Sequence, residues 1–291
     1  MGGSRSAALA GGLVLLCAVA PARAHVGTDE LLAASRAAAA ANPADADVQL
    51  QLARALRLAG DSDGALVALD AALAHGADAD EVAATRAGVL LDAGQAAAAV
   101  AELDRLLARR PDAPGAHFDR GRACLALGRA DDAARELGVA IATLPAPRPE
   151  QVLLHRDALL AQGRIADAVR ALDAGMARLG TIAALQLPAV ELELRLDRTD
   201  AALARLDALM ARAGRNPFWL VRRAEILAGA GRGAEARAAY EEAGTVLAAH
   251  AGARRIHAFD ALAERIAAAL AATPPGGNDR CGLQSDAAWA P

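Results

Sequence analysis

The sequence predicts an all-α solenoid of stacked antiparallel helix pairs, and three observations lead there. The chain is 55 % hydrophobic but only 2 % aromatic, so alanine and leucine, both strong helix formers, must do the packing. Glycines recur at a fixed interval: Gly60, Gly94 and Gly128 are 34 residues apart, Gly163 follows after 35, and Gly231 lies two further periods of 34 on, with Asp197 in the slot between. Around these turn residues the same small and large side chains return, as a stacked helical repeat requires.

Residues 1–24 read as an export signal. Arg5 supplies positive charge, Leu9 to Ala20 is an apolar run interrupted by Gly11-Gly12, and Ala22-Arg23-Ala24 has the small-x-small form of a cleavage site. The run is shorter than the ~20 residues needed to span a bilayer, which disfavours an uncleaved anchor. Leu16 is too bulky to precede a lipidated Cys17. The expected location is therefore periplasmic or secreted, with no membrane span after cleavage. The mature chain would carry 29 basic and 35 acidic residues, a net −6, and every basic residue is arginine. Such mild acidity excludes a general nucleic-acid binder, which needs a basic stripe against phosphate.

Residues 25–45 hold a lone helix, Thr28 to Pro43, with Thr28 or Asp29 as its N-cap and acids in its first turn. The repeating region, 46–250, is six units beginning near Ala46, Asp80, Pro114, Pro149, Ala183 and Pro217. Seven positions before each turn residue stand Ala53, Ala87, Gly121, Arg156, Val190 and Ala224; five after it stand Ala65, Ala99, Ala133, Ala168, Ala202 and Ala236. Nine after come Leu69, Leu103, Leu137, Leu172, Leu206 and Tyr240, and twelve after come Ala72, Leu106, Ala140, Gly175, Leu209 and Ala243. Small residues mark close helix crossings and large ones fill the gaps between them. Arg156, Val190, Pro188 inside a first helix, and the longer Pro145 to Pro149 connection depart from the pattern. They predict a bend or loosening between the third and fifth units. Residues 251–272 should form a capping helix, and the glycine- and proline-rich stretch 273–291 a disordered tail in which Trp289 is incidental or a short docking element.

These spaced residues resemble the tetratricopeptide repeat, whose helix–turn–helix unit carries small residues at its eighth, twentieth and twenty-seventh positions. The resemblance implies a right-handed superhelix and a non-enzymatic interaction scaffold. It also implies that the second, fifth, ninth and twelfth residues of each first helix line a concave binding face. Here that face would carry Arg54, Arg57, Phe118, Arg122, Leu153, Asp157, Leu187, Glu191, Phe218, Val221 and Glu225, basic at its N-terminal end and acidic at the other. The two phenylalanines are expected to be exposed and to mark a contact site. The family members that clamp chaperone carboxylates use lysines and asparagines at positions where this chain has Asp47, Leu50, Gln51, Arg54, Glu81, Ala84, Thr85 and Gly88, so that function is not implied.

Other chemistry is sparse. Asp61-Ser62-Asp63-Gly64 has the opening of a calcium loop, but no glutamate follows at the twelfth position and the sister turns carry few acids. Gly229 to Gly233 follows a helix, not the strand a phosphate loop requires. The histidines are scattered, with no helical zinc pair. Cys124 takes the slot filled by Leu56, Leu90, Leu159 and Leu227 in other units and reads as a small buried residue, with no bridge to Cys281 expected. No catalytic, metal or cofactor site is predicted. The alternatives are a metal-dependent activity or copper binding that uses the amine and ring of a mature N-terminal His25, and a structural subunit that self-associates through its end faces.

Overall fold

The computed structural model describes residues 22–251 and 257–272, and among them the chain forms fourteen α-helices and no strand. It divides into two compact units, residues 1–93 and 94–291. The first holds α1 (Ala22–Ala41), α2 (Ala46–Leu58), α3 (Ser62–Ala74) and α4 (Ala79–Asp92). The second holds α5 (Ala96–Arg109), α6 (Pro114–Ala126), α7 (Ala130–Thr143), α8 (Pro149–Leu160), α9 (Ile165–Leu179), α10 (Ala183–Arg195), α11 (Thr199–Ala213), α12 (Pro217–Gly229), α13 (Gly233–Ala251) and α14 (His257–Ala272). Each unit is a stack of helices with the short connections of a solenoid.

Local chemistry sets the helix ends. Asp45 caps α2 by accepting from the amides of Asp47 and Val48 at 3.0 and 3.1 Å, and Pro114, Pro149 and Pro217 open α6, α8 and α12, where a missing N–H costs nothing. All six turn residues have positive φ: Gly60, Gly94, Gly128, Gly163 and Gly231 at 70–79°, and Asp197 at 57°. At Gly60 the amide donates to the Arg57 carbonyl at 3.0 Å and the next amide, Asp61, to the Leu56 carbonyl at 2.9 Å. This doublet closes a helix in a left-handed residue, and it recurs at Gly128, Gly163, Asp197 and Gly231. The Asp61 carboxylate then accepts from the Gly64 amide at 2.9 Å to start α3. Its oxygen is a cap, the role that a calcium loop would have given to metal.

The recurring small residues are the core. Ala53, Ala87, Ala224 and all six alanines after the turn are 0 % exposed, as are Leu69, Leu103, Leu137, Leu172 and Leu206. A Cβ on Gly121 would lie 2.6 Å from Leu137 Cγ, and one on Gly175 2.6 Å from Val152 Cγ1, so these two glycines are close-approach points. Arg156 takes its small-residue slot by turning its guanidinium out to Asp157 at 2.7 Å, and α10 runs unbroken through Pro188.

One boundary differs from expectation. Helix α1 begins at Ala22, so neither Thr28 nor Asp29 is its N-cap; the alanine-rich stretch before them propagates the helix and one glycine does not stop it. The residues of the expected cleavage site, Ala22 to Ala24, lie within α1. At the other end α14 buries Leu262 and Ile266 in the cluster that holds Tyr240, Ala243 and Leu247. The expected signal up to residue 21 and the tail 273–291 lie outside the described residues, and so does the His25 side chain.

Candidate binding face

The residues predicted for the face fall on two units and are described in turn. In the first unit Arg54 of α2 pairs with Glu81 of α4, and Arg57 Nε lies 2.6 Å from Asp92 Oδ2. The expected basic end is therefore neutralised within its own stack. The Arg57 guanidinium also occupies the space over Gly88, where a Cβ would meet it at 2.5 Å.

In the second unit the acidic end is neutralised in the same way. Arg222 of α12 reaches Glu191 of α10 at 2.7 Å and Glu225 at 3.5 Å, and Glu225 also pairs with Arg265 of α14. Arg122 pairs with Asp119 at 3.1 Å and Asp157 with Arg156. What remains between these pairs is apolar and half-buried: Phe118 and Leu125 on α6, Leu153 and Leu160 on α8, Leu187 and Leu194 on α10.

Two predicted site residues belong elsewhere. Val221 is 2 % exposed and part of the core, because α14 packs over α12 and closes the last pair. For the same reason Phe218 is half-buried, its ring centroid 6.1 Å from that of Phe259 on α14. Phe118 is half-buried as well, so neither phenylalanine is the exposed anchor that composition suggested. Cys124 is 0 % exposed, and burial pushes its thiol value up against the opposing pull of Arg129 and Arg120, as for a cysteine that fills a core slot.

A second ladder escaped the sequence reading. The seventh residue of a first helix bonds the twenty-fifth residue of the preceding repeat: Arg86 with Asp70 at 2.8 Å, Arg120 with Asp104 at 2.6 Å, Arg223 with Asp207 at 3.0 Å. The two exceptions compensate within the chain. Where Gly138 replaces the aspartate, His155 replaces the arginine and fills the space, 3.3 Å from a Cβ on Gly138. Where Ala189 replaces the arginine, Asp173 turns to Arg205 with bonds of 2.6 and 3.0 Å. These Asp173 bonds, set against desolvation, push the Arg205 guanidinium value up. The constant sixteen-residue spacing of arginine and aspartate was the available signal. Half-exposed pairs of this kind contribute only ~0–1 kcal/mol each, so their use is to hold one helix in place against the next.

Among the described residues two carboxylates are buried. Glu136 of α7, 6 % exposed, accepts from Arg120 Nη1 and lies against His117 Nδ1, both at 2.7 Å. Glu193 of α10, 4 % exposed, takes the core slot that is leucine or cysteine in the other repeats; Arg205 Nη2 reaches its Oε1 at 2.8 Å, while Oε2 has no hydrogen-bond donor. Among the described residues no group of three or more potential metal ligands comes together, and no helix is long and apolar enough to cross a membrane.

A family model described as "Tetratricopeptide repeat" matches residues 85–148. None of the curated proteins matches the sequence. Similar solved structures include a thermophilic TPR protein of Thermus thermophilus, at 23 % identity and a TM-score of 0.42, over 62 % of this chain and 98 % of that one. A tetratricopeptide repeat protein of Parabacteroides merdae is 16 % identical with a TM-score of 0.48, over 84 % of this chain and 95 % of that one. MamA of Desulfovibrio magneticus is 18 % identical with a TM-score of 0.48, over 57 % and 93 %. The tetratricopeptide-repeat match covers residues 85–148, and the 34-residue period with its helix pairs closed by left-handed turn residues extends on both sides of it.

Proposed function

We propose that the chain is a non-enzymatic scaffold that holds a protein or peptide partner on the concave face of its first helices, in the bacterial envelope. The tetratricopeptide-repeat fold suggests an interaction scaffold at the coarse level. The observation that carries the finer reading is the composition of the first helices in the second unit. Their apolar side chains, Phe118, Leu125, Leu153, Leu160, Leu187 and Leu194, are half-buried, while the charges among them are satisfied internally. A partner recognised there is held by apolar contact more than by charge. The envelope assignment rests on the charged, apolar and small-x-small segments of residues 1–24.

The test is selection of peptide ligands by the full chain, followed by Leu153→Glu with Leu187→Glu. Binding should fall at least tenfold, about 1.4 kcal/mol, while helical circular dichroism is retained. Unchanged affinity would place recognition elsewhere. N-terminal sequencing of the envelope protein should begin at His25, and a chain beginning at Met1 in the cytoplasm would refute export.

A further inference from the structure

His117 stands in the first turn of α6, and both of its ring nitrogens face oxygen. Nδ1 lies 2.7 Å from Glu136 Oε2 on α7, and Nε2 lies 2.9 Å from the carbonyl oxygen of Pro111 in the α5–α6 connection. A carbonyl oxygen only accepts hydrogen bonds. The other oxygen of Glu136 takes the Arg120 guanidinium at 2.7 Å, and a carboxylate accepts at both oxygens, so Oε2 is an acceptor too. A neutral imidazole has a single N–H to give, whereas two acceptors call for two.

We propose that His117 is a proton-dependent clamp at the root of α6. With both nitrogens protonated, the ring ties the α5–α6 connection to α7; when the ring gives up a proton, one of the two ties is lost. The charged groups around it come from every packed element: Asp104 on α5, reached by Arg120; Arg120 on α6; Glu136 on α7, with Arg135 Nε 3.5 Å from its Oε1. Arg110 and Asp112 lie in the connection itself. Folding that takes up a proton loses stability as pH rises, so this junction is firmer in acid than in base. Phe118, the next residue, belongs to the candidate face, which couples that rung to the clamp. The inference does not depend on the face binding a partner.

The direct test is nitrogen-15 spectroscopy of histidine in the full chain, with His117→Gln to assign the signals. In the folded chain both His117 nitrogens, each facing an acceptor, should carry hydrogen. A bare Nδ1, which would put the proton on Glu136, or a bare Nε2 overturns the proposal. The second test compares thermal midpoints of the native chain and His117→Gln from about pH 5.5 to about pH 8.5, a span centred near the ordinary imidazole value. The gap should close as pH rises, by several degrees. In Glu136→Gln the amide donates to Nδ1 of a neutral ring, so the dependence should disappear. A gap independent of pH, or one that closes equally in Glu136→Gln, refutes the clamp.

Discussion

Replacing Glu193 with leucine should make the protein more stable, although it removes a buried ion pair. Glu193 fills the eleventh position of its repeat, which is Leu56, Leu90, Leu159 and Leu227 elsewhere. Its carboxylate is 4 % exposed, one oxygen has no hydrogen-bond donor, and the nearest further cation, Arg198, is 3.6 Å away. That unsatisfied oxygen costs about 1–3 kcal/mol, and a buried leucine side chain contributes about 1.5–3 kcal/mol by apolar burial. Against these stands the loss of one charge-assisted contact to Arg205, about 1.5–3 kcal/mol. Removing one partner of a buried pair normally costs about 3–5 kcal/mol because the other charge is stranded. Arg205 is not stranded, since Asp173 holds it with two bonds. The balance favours leucine by about 1–2 kcal/mol, within the range seen when buried pairs give way to apolar packing. The assay is urea unfolding followed by circular dichroism, read as a rise in midpoint. A lower midpoint for Glu193→Leu would refute the reasoning. Adding Asp173→Asn to Glu193→Leu should reverse the sign, because the guanidinium then loses both carboxylates.

Ala133→Leu should lower the unfolding midpoint by about 1–3 kcal/mol in free energy, because its site is fully buried and already filled; unchanged unfolding would count against the close crossing at that residue. His155 is held below the ordinary imidazole range chiefly by desolvation, with a hydrogen bond to the Ala134 backbone opposing and Arg164 adding to the fall. Its folded value is depressed, so its contribution to stability is whole above the unfolded value of about 6.5 and is lost as pH drops toward the folded one. His155→Gln should therefore flatten the loss of thermal midpoint on the acid side of neutrality, and an equally steep loss in the variant would refute the assignment. This trend runs opposite to that of His117, and the two variants separate them.

The repeat was legible because its determinants are local. A left-handed turn residue, an alanine at a crossing and a leucine at a gap are each demanded by the backbone or by the nearest neighbours, and each demand returns with the period. Six turn residues, the alanine set and the leucine set were readable in this way down to residue number. The candidate site was legible only in part. Arg54, Glu191 and Glu225 were placed on the correct helices, yet whether they face a partner or one another depends on side chains roughly thirty residues away in sequence, at Glu81, Arg222 and Arg265. Phe218 was misjudged because its repeat position is exposed in the other units, at Asp47, Glu81, Gly115, Glu150 and Ala184, whereas α14 covers it here; Val221 stands at a position that is buried at Leu50 and half-buried at Phe118, Leu153 and Leu187.

The sequence by itself determined the helical class, the period, the turn chemistry and the close crossings, since these follow from backbone sterics and side-chain size within one unit. Only the tertiary structure decided which charges cancel, that Glu193 carries an unsatisfied oxygen, and that both His117 nitrogens meet acceptors. Those outcomes depend on distances of a few ångströms between separate helices, and a one-dimensional spacing does not contain them.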